Sequence, residues 1–484
     1  MNRLLEKVAK VFSKSGSSAV TAQTIVMNPE NINEMLAQLI QERNVSKIQS
    51  LMQNRDAIVD EAIKEYNPDK HEVMSRRDKD RDGKKPYISE KLPRSRQRYI
   101  NEVELFFLLG NKVKWEKATD KSNDDAFALY REYIDDMRFD TYLRQLKRLA
   151  GAETEAAIYF RCYEQDGQPY MTPLILARSL GYTLRPLFDR FGHMVVFGCG
   201  FYTLEGNKTV ENFELHTPQM IYLFKKIGGA WVIDPQQTYT NKTGKINIVY
   251  VQQPKAWEGS QSRCNREEKI DSGIADTNNY FADPIAVATA DVLQSLPDPD
   301  IPGGVIQKNN KDSVFEYANP PMASESQKNE REALNTSILF DSFTPDMSFE
   351  AMKGLGTLSG DAIERAMALG QMKRQNRMEI YDIAVDRMKN IILAIMMNVT
   401  HIGMADKLRT LKVKHEFSQP FSDDRFKLWD AVGNAVSSGI MSKETAVKML
   451  AVTDNPNEEI SRITQESTAQ STAQNIPQNI VENF

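Results

Sequence analysis

From Asp361 to Val399 the sequence contains no proline, and Tyr381, Ala384, Val385, Met388, Ile391, Ile392, Ile395 and Val399 recur at steps of three and four. That spacing puts all eight on one face of an α-helix. Asp361 and Glu364 can cap its start, and an unbroken helix over this range would be roughly 58 Å long. Met367, Met372, Met378, Met388 and Met396 read as core or subunit packing. Lys373, Arg374 and Arg377 read as a solvated or inter-subunit salt-bridged face in preference to a DNA contact.

The rest of the chain organises around this rod. Residues 31–66 are helical and polar-rich, and residues 76–98 then carry ten Lys/Arg against four Asp/Glu, which reads as an exposed loop or linker. Apolar residues condense in Tyr99 to Trp115, and helices follow through Leu149. Between Ile158 and Tyr250 the period changes to two, with hairpin turns at Asp166-Gly167 and Gly228-Gly229. Asn265 with Glu268 reads as the start of a helix that runs to Asp283-Pro284. A proline-rich segment follows, with Val305-Ile306 and Val314 to Tyr317 placed as a small hairpin around Lys308 to Asp312. Ser324 and Gln327 have capping-box spacing for a second helix to about Ser342. Pro345, Gly354, Gly356 and Gly360 then make residues 343–360 a mobile loop by composition. After the long helix come a strand-like Leu411 to Phe417, a helical pair from Asp423 to Leu450, and a Ser/Thr/Gln/Asn tail from Thr464 expected to be disordered.

Composition excludes several function classes. At 484 residues the chain can hold two to four core-bearing units, so a single small module is ruled out. A net charge of -5 lacks the cationic field of a tight nucleic-acid binder, so any DNA contact is local or loose. Cys162, Cys199 and Cys264 offer neither a disulfide framework nor a C-x-x-C site, which fits a reducing compartment. The start of the chain carries no secretion signal, and Ile391 to Met397 is too short to span a bilayer.

Three motifs mimic chemistry that the chain lacks. Asp78-x-Asp80-x-Asp82-Gly83 opens like a calcium loop, but Ser89 stands at position twelve and Lys84, Lys85 and Pro86 intrude. Gly200 with Gly206-Asn207-Lys208-Thr209 mimics a phosphate-binding loop, but the spacing is one residue too long and Asn207 separates glycine from lysine. A hairpin turn is the better reading, and nucleotide-driven work belongs to a partner. His71, His193, His216, His401 and His415 are far apart in sequence and read as structural or surface residues, with no metal and no cofactor expected. No nucleophile motif is present, so no catalytic residue is assigned.

The order of helix, small hairpin module, helix, glycine loop, very long helix and closing bundle resembles the stem, clip, stem, tunnel loop, wing helix and crown of tailed-phage portal proteins. YINEVELFFLLGNKVKW, ending in the Leu109-Gly110 turn, is similar to the N-terminal wing helix of portals from long-tailed (siphovirus-type) phages. Ser438 to Ile463, SGIMSKETAVKMLAVTDNPNEEISRI, is similar to the crown ending of the same portals. In it Gly439 permits a turn, Ser442 caps, and Pro456 precedes Glu458 and Glu459 at a helix start. The resemblance implies an α+β, predominantly helical portal fold assembled as a ring. Its parts are an N-terminal arm (1–30), a wing (31–264, helical over 31–150 and strand-rich over 151–264), a first stem helix (265–283), a clip (284–322) and a second stem helix (323–342). A tunnel loop (343–360), a long wing helix and strand (361–420), a crown (421–463) and a disordered tail (464–484) complete it.

The resemblance also implies a function. A dodecameric ring at one capsid vertex passes double-stranded DNA during packaging and ejection. The terminase large subunit, a head-completion adaptor, and the major capsid or scaffold protein are partners, and no membrane is involved. The location is the virion, with host cytoplasm during assembly, and no enzyme activity is expected. Each cation gripping DNA would brake sliding. The loop fits that need, with Met347, Phe349, Glu350, Met352, Lys353 and Leu355 facing the channel and Gly354, Gly356 and Gly360 as hinges. Val305, Ile306, Val314, Phe315 and Tyr317 belong to the clip. The rival readings are another virion structural protein, capsid or tail component, and a DNA-processing enzyme with a dispersed carboxylate site.

Overall fold

Three amphipathic helices, α1 (Pro29–Gln41), α2 (Val45–Leu51) and α3 (Asp56–Tyr66), open the described part of the computed structural model. That part comprises residues 29–81, 84–118, 123–282, 286–288, 315–317, 324–355, 367–418, 425–450 and 459–466. A small hairpin follows, β1 (Lys79–Arg81) with β2 (Lys84–Tyr87), and then α4 (Arg96–Leu109), β3 (Val113–Lys117), α5 (Asp124–Asp136) and α6 (Phe139–Glu153). Thr154 takes the left-handed conformation at φ 70° and turns the chain out of α6 into the strands.

The change of period seen in the sequence is a real change of structure. Strands β4 (Glu155–Gln165), β5 (Gln168–Leu176), β6 (Thr183–Phe188), β7 (Met194–Glu205), β8 (Lys208–His216), β9 (Met220–Ile227), β10 (Ala230–Ile233), β11 (Tyr239–Thr240) and β12 (Ile248–Gln252) follow in succession. They build two antiparallel sheets, one ordered β12-β4-β5 and one ordered β10-β9-β8-β7-β6 with β11 against β9. The strands thus fill Glu155 to Gln252 of the 151–264 region expected to hold them, and a further helix takes over at Gln261. Gly206 at φ 62° turns β7 into β8, so the phosphate-loop mimic is a hairpin.

Helices α7 (Gln261–Ala282) and α8 (Ser324–Asp341) flank the short strands β13 (Ala286–Ala288) and β14 (Phe315–Tyr317). Next come α9 (Phe349–Leu355), α10 (Ala368–Ile395), α11 (Ala405–Thr410), β15 (Val413–Phe417), α12 (Arg425–Ser437) and α13 (Lys443–Leu450). The described α-helical part of the long helix, 28 residues, is about 42 Å long. It ends in a π turn over Met396–Thr400, where the Asn398 amide donates to the Ala394 carbonyl (3.0 Å) and His401 N bonds Met396 O (2.7 Å). Its expected start at Asp361 lies outside the described residues.

The chain forms two compact units. The first is Met1–Met347 with Ala368–Ser418, and the second is Ser348–Met367 with Gln419–Phe484. In the first, the buried stripe of α10 (Tyr381, Val385, Met388, Ile391, Ile392, Ile395) packs with α4, α5, α6 and strands β3, β4 and β15 into the largest core. Pairing of β15 with β3, His415 opposite Trp115, closes that core. A second core joins α1 and α2 to Phe213, Leu215 and Phe224, and a third lies around Tyr159, Phe197 and Ile248. Gly370 lets α10 approach α4, since a Cβ there would stand 2.4 Å from Phe107 Cζ. In the second unit Gly439, at φ 73°, ends α12 in a double-bonded turn (Gly439 N to Val436 O, 3.1 Å; Ile440 N to Ala435 O, 3.0 Å). Ser442 Oγ then accepts from Thr445 N at 3.1 Å to start α13, as read from the sequence. Residues 459–466 are helical, so Thr464–Glu466 of the tail expected to be disordered belong to a helix, and Pro456, Glu458 and residues 467–484 lie outside the described residues.

Candidate functional site

The paired helices α7 and α8 are tied at their far ends by antiparallel β13 and β14, with Ala286 opposite Tyr317 and Ala288 opposite Phe315. Phe315 and Tyr317 are thus in a strand as expected, but their described partner is 286–288. Val305, Ile306 and Val314 lie outside the described residues. Helix α7 begins four residues before Asn265, at Gln261. The expected capping residues have other work, because Asn265 Nδ2 donates to Glu72 (3.2 Å) and Glu268 accepts from His71 (2.6 Å). At the near end, Ile100, Ala256, Trp257, Cys264 and Ile338 form a small apolar core that joins the pair to α4.

The basic stretch 76–98 is not a solvated linker. Arg76 pairs with Asp276 (2.8 Å), Arg94 with Glu267 (3.1 Å) and Asp271, and Arg96 with Glu267 (2.7 Å). The carboxylates belong to α7, and Glu267 and Asp276 are buried. Three of its ten cations are thus matched by carboxylates of a helix some 170 to 200 residues away, which charge counting along the chain could not see. Asp78, first residue of the calcium-loop mimic, accepts from Ser89 N (3.0 Å), and among the described residues no group of His, Cys, Asp or Glu could hold a metal ion.

Where the helix pair meets the core, charges are buried outright. Glu104 on α4 receives Lys147 of α6 (2.5 Å), Lys373 (3.3 Å) and Arg377 (3.1 Å) of α10, and the Gln253 amide (3.2 Å). Tyr381 Oη donates to Gln253 Oε1 at 2.8 Å. Burial alone would push the Glu104 carboxyl up, but Lys147, Lys373 and Arg377 together hold it well below the ordinary carboxylate range. Burial pulls Lys373 down to about 8 against the attraction of Glu104, and lowers Lys147 as well. Lys373 Nζ also reaches the carbonyls of Ala256 (2.8 Å) and Ser342 (2.9 Å), so one ammonium links α10 to the approach of α7 and the exit of α8. Arg374 donates to Phe417 O (2.7 Å). The expectation that Lys373, Arg374 and Arg377 form a solvated or inter-subunit face is thus overturned: their partners are in the same chain.

Beyond α8 the chain turns sharply. Phe343 adopts φ 50°, with Phe343 N bonded to Phe340 O (3.0 Å) and Thr344 N to Leu339 O (2.8 Å), a doubly bonded helix end that usually holds glycine. Tyr99 Oη then donates to Pro345 O (3.1 Å) and accepts from Met347 N (2.7 Å), fixing the chain before it enters the second unit. There the segment expected as loop is in part a helix. Phe349, Glu350, Met352, Lys353, Gly354 and Leu355 all lie in α9, started by Ser348, whose carbonyl accepts from Met352 N (2.9 Å). Phe349 and Lys353 are exposed, while Gly356 and Gly360 lie outside the described residues. Gly354, which by composition signals a loop, stands inside this helix.

The histidines are structural, with the exception of exposed His193. His71 is buried between Glu268 and the Glu65 carbonyl (2.7 Å), His216 meets Tyr159 edge-to-face, and His415 joins β15 to Asp382 (2.8 Å) of α10. Glu104, Lys147 and Gln253 escaped the sequence reading, although one signal existed. Lys147 occupies an apolar helical position beside Leu143, Leu146 and Ala150, where a charge needs a buried partner.

A mixed α+β chain of long core helix, twin antiparallel sheets and a helix pair bridged by short strands defines the class. Residues 45–473 match the family described as phage portal protein, SPP1 Gp6-like, and the chain belongs to that family. No curated protein matches it. Among solved structures it is similar to the neck of an empty GTA particle computed with C6 symmetry, at 8% identity and a TM-score of 0.45, covering 74% of this chain and 90% of that one. The neck of a native GTA particle computed with C12 symmetry gives 11% and 0.43, covering 75% and 91%. The virion of a native gene transfer agent particle gives 8% and 0.39, covering 74% and 89%.

Proposed function

We propose that this chain assembles as a dodecameric ring at one vertex of a phage capsid and conducts double-stranded DNA during packaging and ejection. The observation that carries this reading is the family match over residues 45–473, which spans the helix pair, its strand-tied tip and the long core helix in one continuous stretch. In it, α7 and α8 are the stem, residues 284–322 with Phe315 and Tyr317 the clip, residues 343–360 the channel-facing segment, and α12 and α13 part of the crown. The clip docks terminase and then a head-completion adaptor, and capsid or scaffold protein surrounds the wing. The chain makes and breaks no bonds, and the motor's nucleotide hydrolysis belongs to terminase.

The channel-facing segment suits a conduit. Its apolar Met347, Phe349, Met352 and Leu355 offer steric contact, and Lys353 is outnumbered by Asp346 and Glu350, so little cationic drag opposes sliding. Electron microscopy of the purified protein tests the ring. Annular particles with a duplex-wide axial hole are expected, and solid or purely monomeric particles under all assembly conditions would refute it. Replacing Phe349 and Met352 by lysine tests the segment: packaging should slow and yield fewer full-length genomes, and normal yields would remove it from the channel.

A further inference from the structure

Helices α7 and α8 are both polar, yet they are held in unlike ways. Along α7 runs the strap that precedes α4. The backbone amides of Glu90, Leu92 and Arg94 donate to Asp276 Oδ1 (2.8 Å), Ser272 Oγ (3.0 Å) and Glu268 Oε1 (2.9 Å). Two residues of extended chain advance about 6.6 Å, and four residues of helix about 6 Å. The two repeats therefore stay in step, and every second strap amide meets every fourth helix side chain. Arginine side chains fill the intervals through the Arg76, Arg94 and Arg96 pairs described above, and Asn279 closes the far end on Glu90 (2.8 Å). Glu267, Glu268, Ser272 and Asp276 are all buried beneath this strap.

Among the described residues no such cover lies on α8. From Glu325 to Ser337 none of its side chains is buried, and it meets α7 through ion pairs whose cations stand open to solvent, Arg266 with Glu330 (2.9 Å) and Arg331 with Asp271 (3.3 Å). Apart from the β13–β14 tie at its tip, it is anchored by its last turn, through buried Ile338 and Leu339 and the Ser342 carbonyl held on Lys373. Exposed ion pairs contribute little and screen with salt, whereas buried charge-assisted hydrogen bonds in register resist local opening.

We infer that the pair is mechanically unequal: the strap of Arg76 and Glu90–Arg96 makes α7 a fixed strut, whereas α8, held only at its last turn and at its strand-tied tip, opens locally between them. The more yielding helix is also the one whose chain continues directly through Pro345 and Met347 into α9.

Hydrogen exchange with mass spectrometry on the full-length protein tests it. Amides of residues 266–279 should exchange at least about 100-fold more slowly than those of 325–336. Asp276→Ala, which removes the acceptor for Glu90 N and Arg76, should raise exchange at 272–279 about tenfold or more and leave 325–336 as it was. Glu330→Gln should leave α7 unchanged. Equal exchange of the two helices in the unmodified protein overturns the inference, as does an Asp276→Ala protein that keeps full α7 protection. If that variant does not fold, the comparison within the unmodified protein still decides.

Discussion

Glu104→Gln removes the anion that two buried lysines and the half-buried Arg377 share, without changing side-chain shape. Lys147, Lys373 and Arg377 all stand within 3.3 Å of its carboxylate, and Glu104 and Lys147 are completely buried. Breaking a buried ion pair by removing one partner costs about 3–5 kcal/mol. The lysines give the site a way to relax, because each can release its proton. Lys373, at about 8 in the folded chain against 10.5 for the free side chain, binds fewer protons folded than unfolded between those values. Stability from this group therefore rises as pH climbs from 8 to 10.5, by up to about 3 kcal/mol. The Glu104→Gln variant should accordingly lose about 3–5 kcal/mol at pH 7 and distinctly less at about pH 9.5, where Lys373 is largely neutral. Urea unfolding followed through buried Trp257 measures it. With an m-value of about 3 kcal/mol/M, the midpoint should fall by about 1–1.5 M at pH 7. A fall under about 0.3 M, or the same fall at both pH values, would refute the assignment of Glu104 as the charge that holds this junction.

Three further outcomes follow from the geometry. Gly370→Val sets a branched side chain against Phe107 and should destabilise by about 1–3 kcal/mol in the same urea assay, with Gly370→Ala intermediate. Burial opposes charge on His71, but its bonds to Glu268 and the Glu65 carbonyl raise its pKa above the ordinary value. Its contribution is thus complete below about pH 6.5 and lost as pH rises through the folded value, and His71→Gln should abolish that dependence in stability measured from about pH 6 to 9. Ser442→Ala removes the α13 cap and should cost about 1 kcal/mol, seen as faster exchange of the 443–446 amides.

What the sequence revealed, and what it hid, divides along one physical line. Periodicity is local, so the apolar stripe of α10, the alternating strands between Glu155 and Gln252, the extent of α8 and the Gly439-Ser442 turn could be read directly. Charge pairing is not local. Arg76 and Asp276 are 200 positions apart, and Glu104 and Arg377 are 273 apart. A count along the chain sees ten cations in a stretch and concludes solvation, and three cations at the head of a helix look like a surface. Only the fold brings their carboxylates to them.

The placement of those pairs has a consequence for how the chain can move. Apolar contact is tolerant of small sliding, since the burial of area changes little with a slight shift, whereas a buried charge displaced from its partner loses several kcal/mol. The large cores of the first unit are apolar, and the buried charges concentrate where α4, α6 and α10 receive the helix pair, and along the strap on α7. The chain thus has its least yielding contacts at the junction and on one helix of the pair, while α8 is left to solvent-facing ion pairs. Charge reversal at Glu330 and Arg266 together should restore that pair in the opposite sense and leave stability within about 0.5 kcal/mol of the parent. The same exchange between Arg96 and Glu267 should not, because Glu267 is buried with Arg94 also upon it and the reversed charges would face a like neighbour.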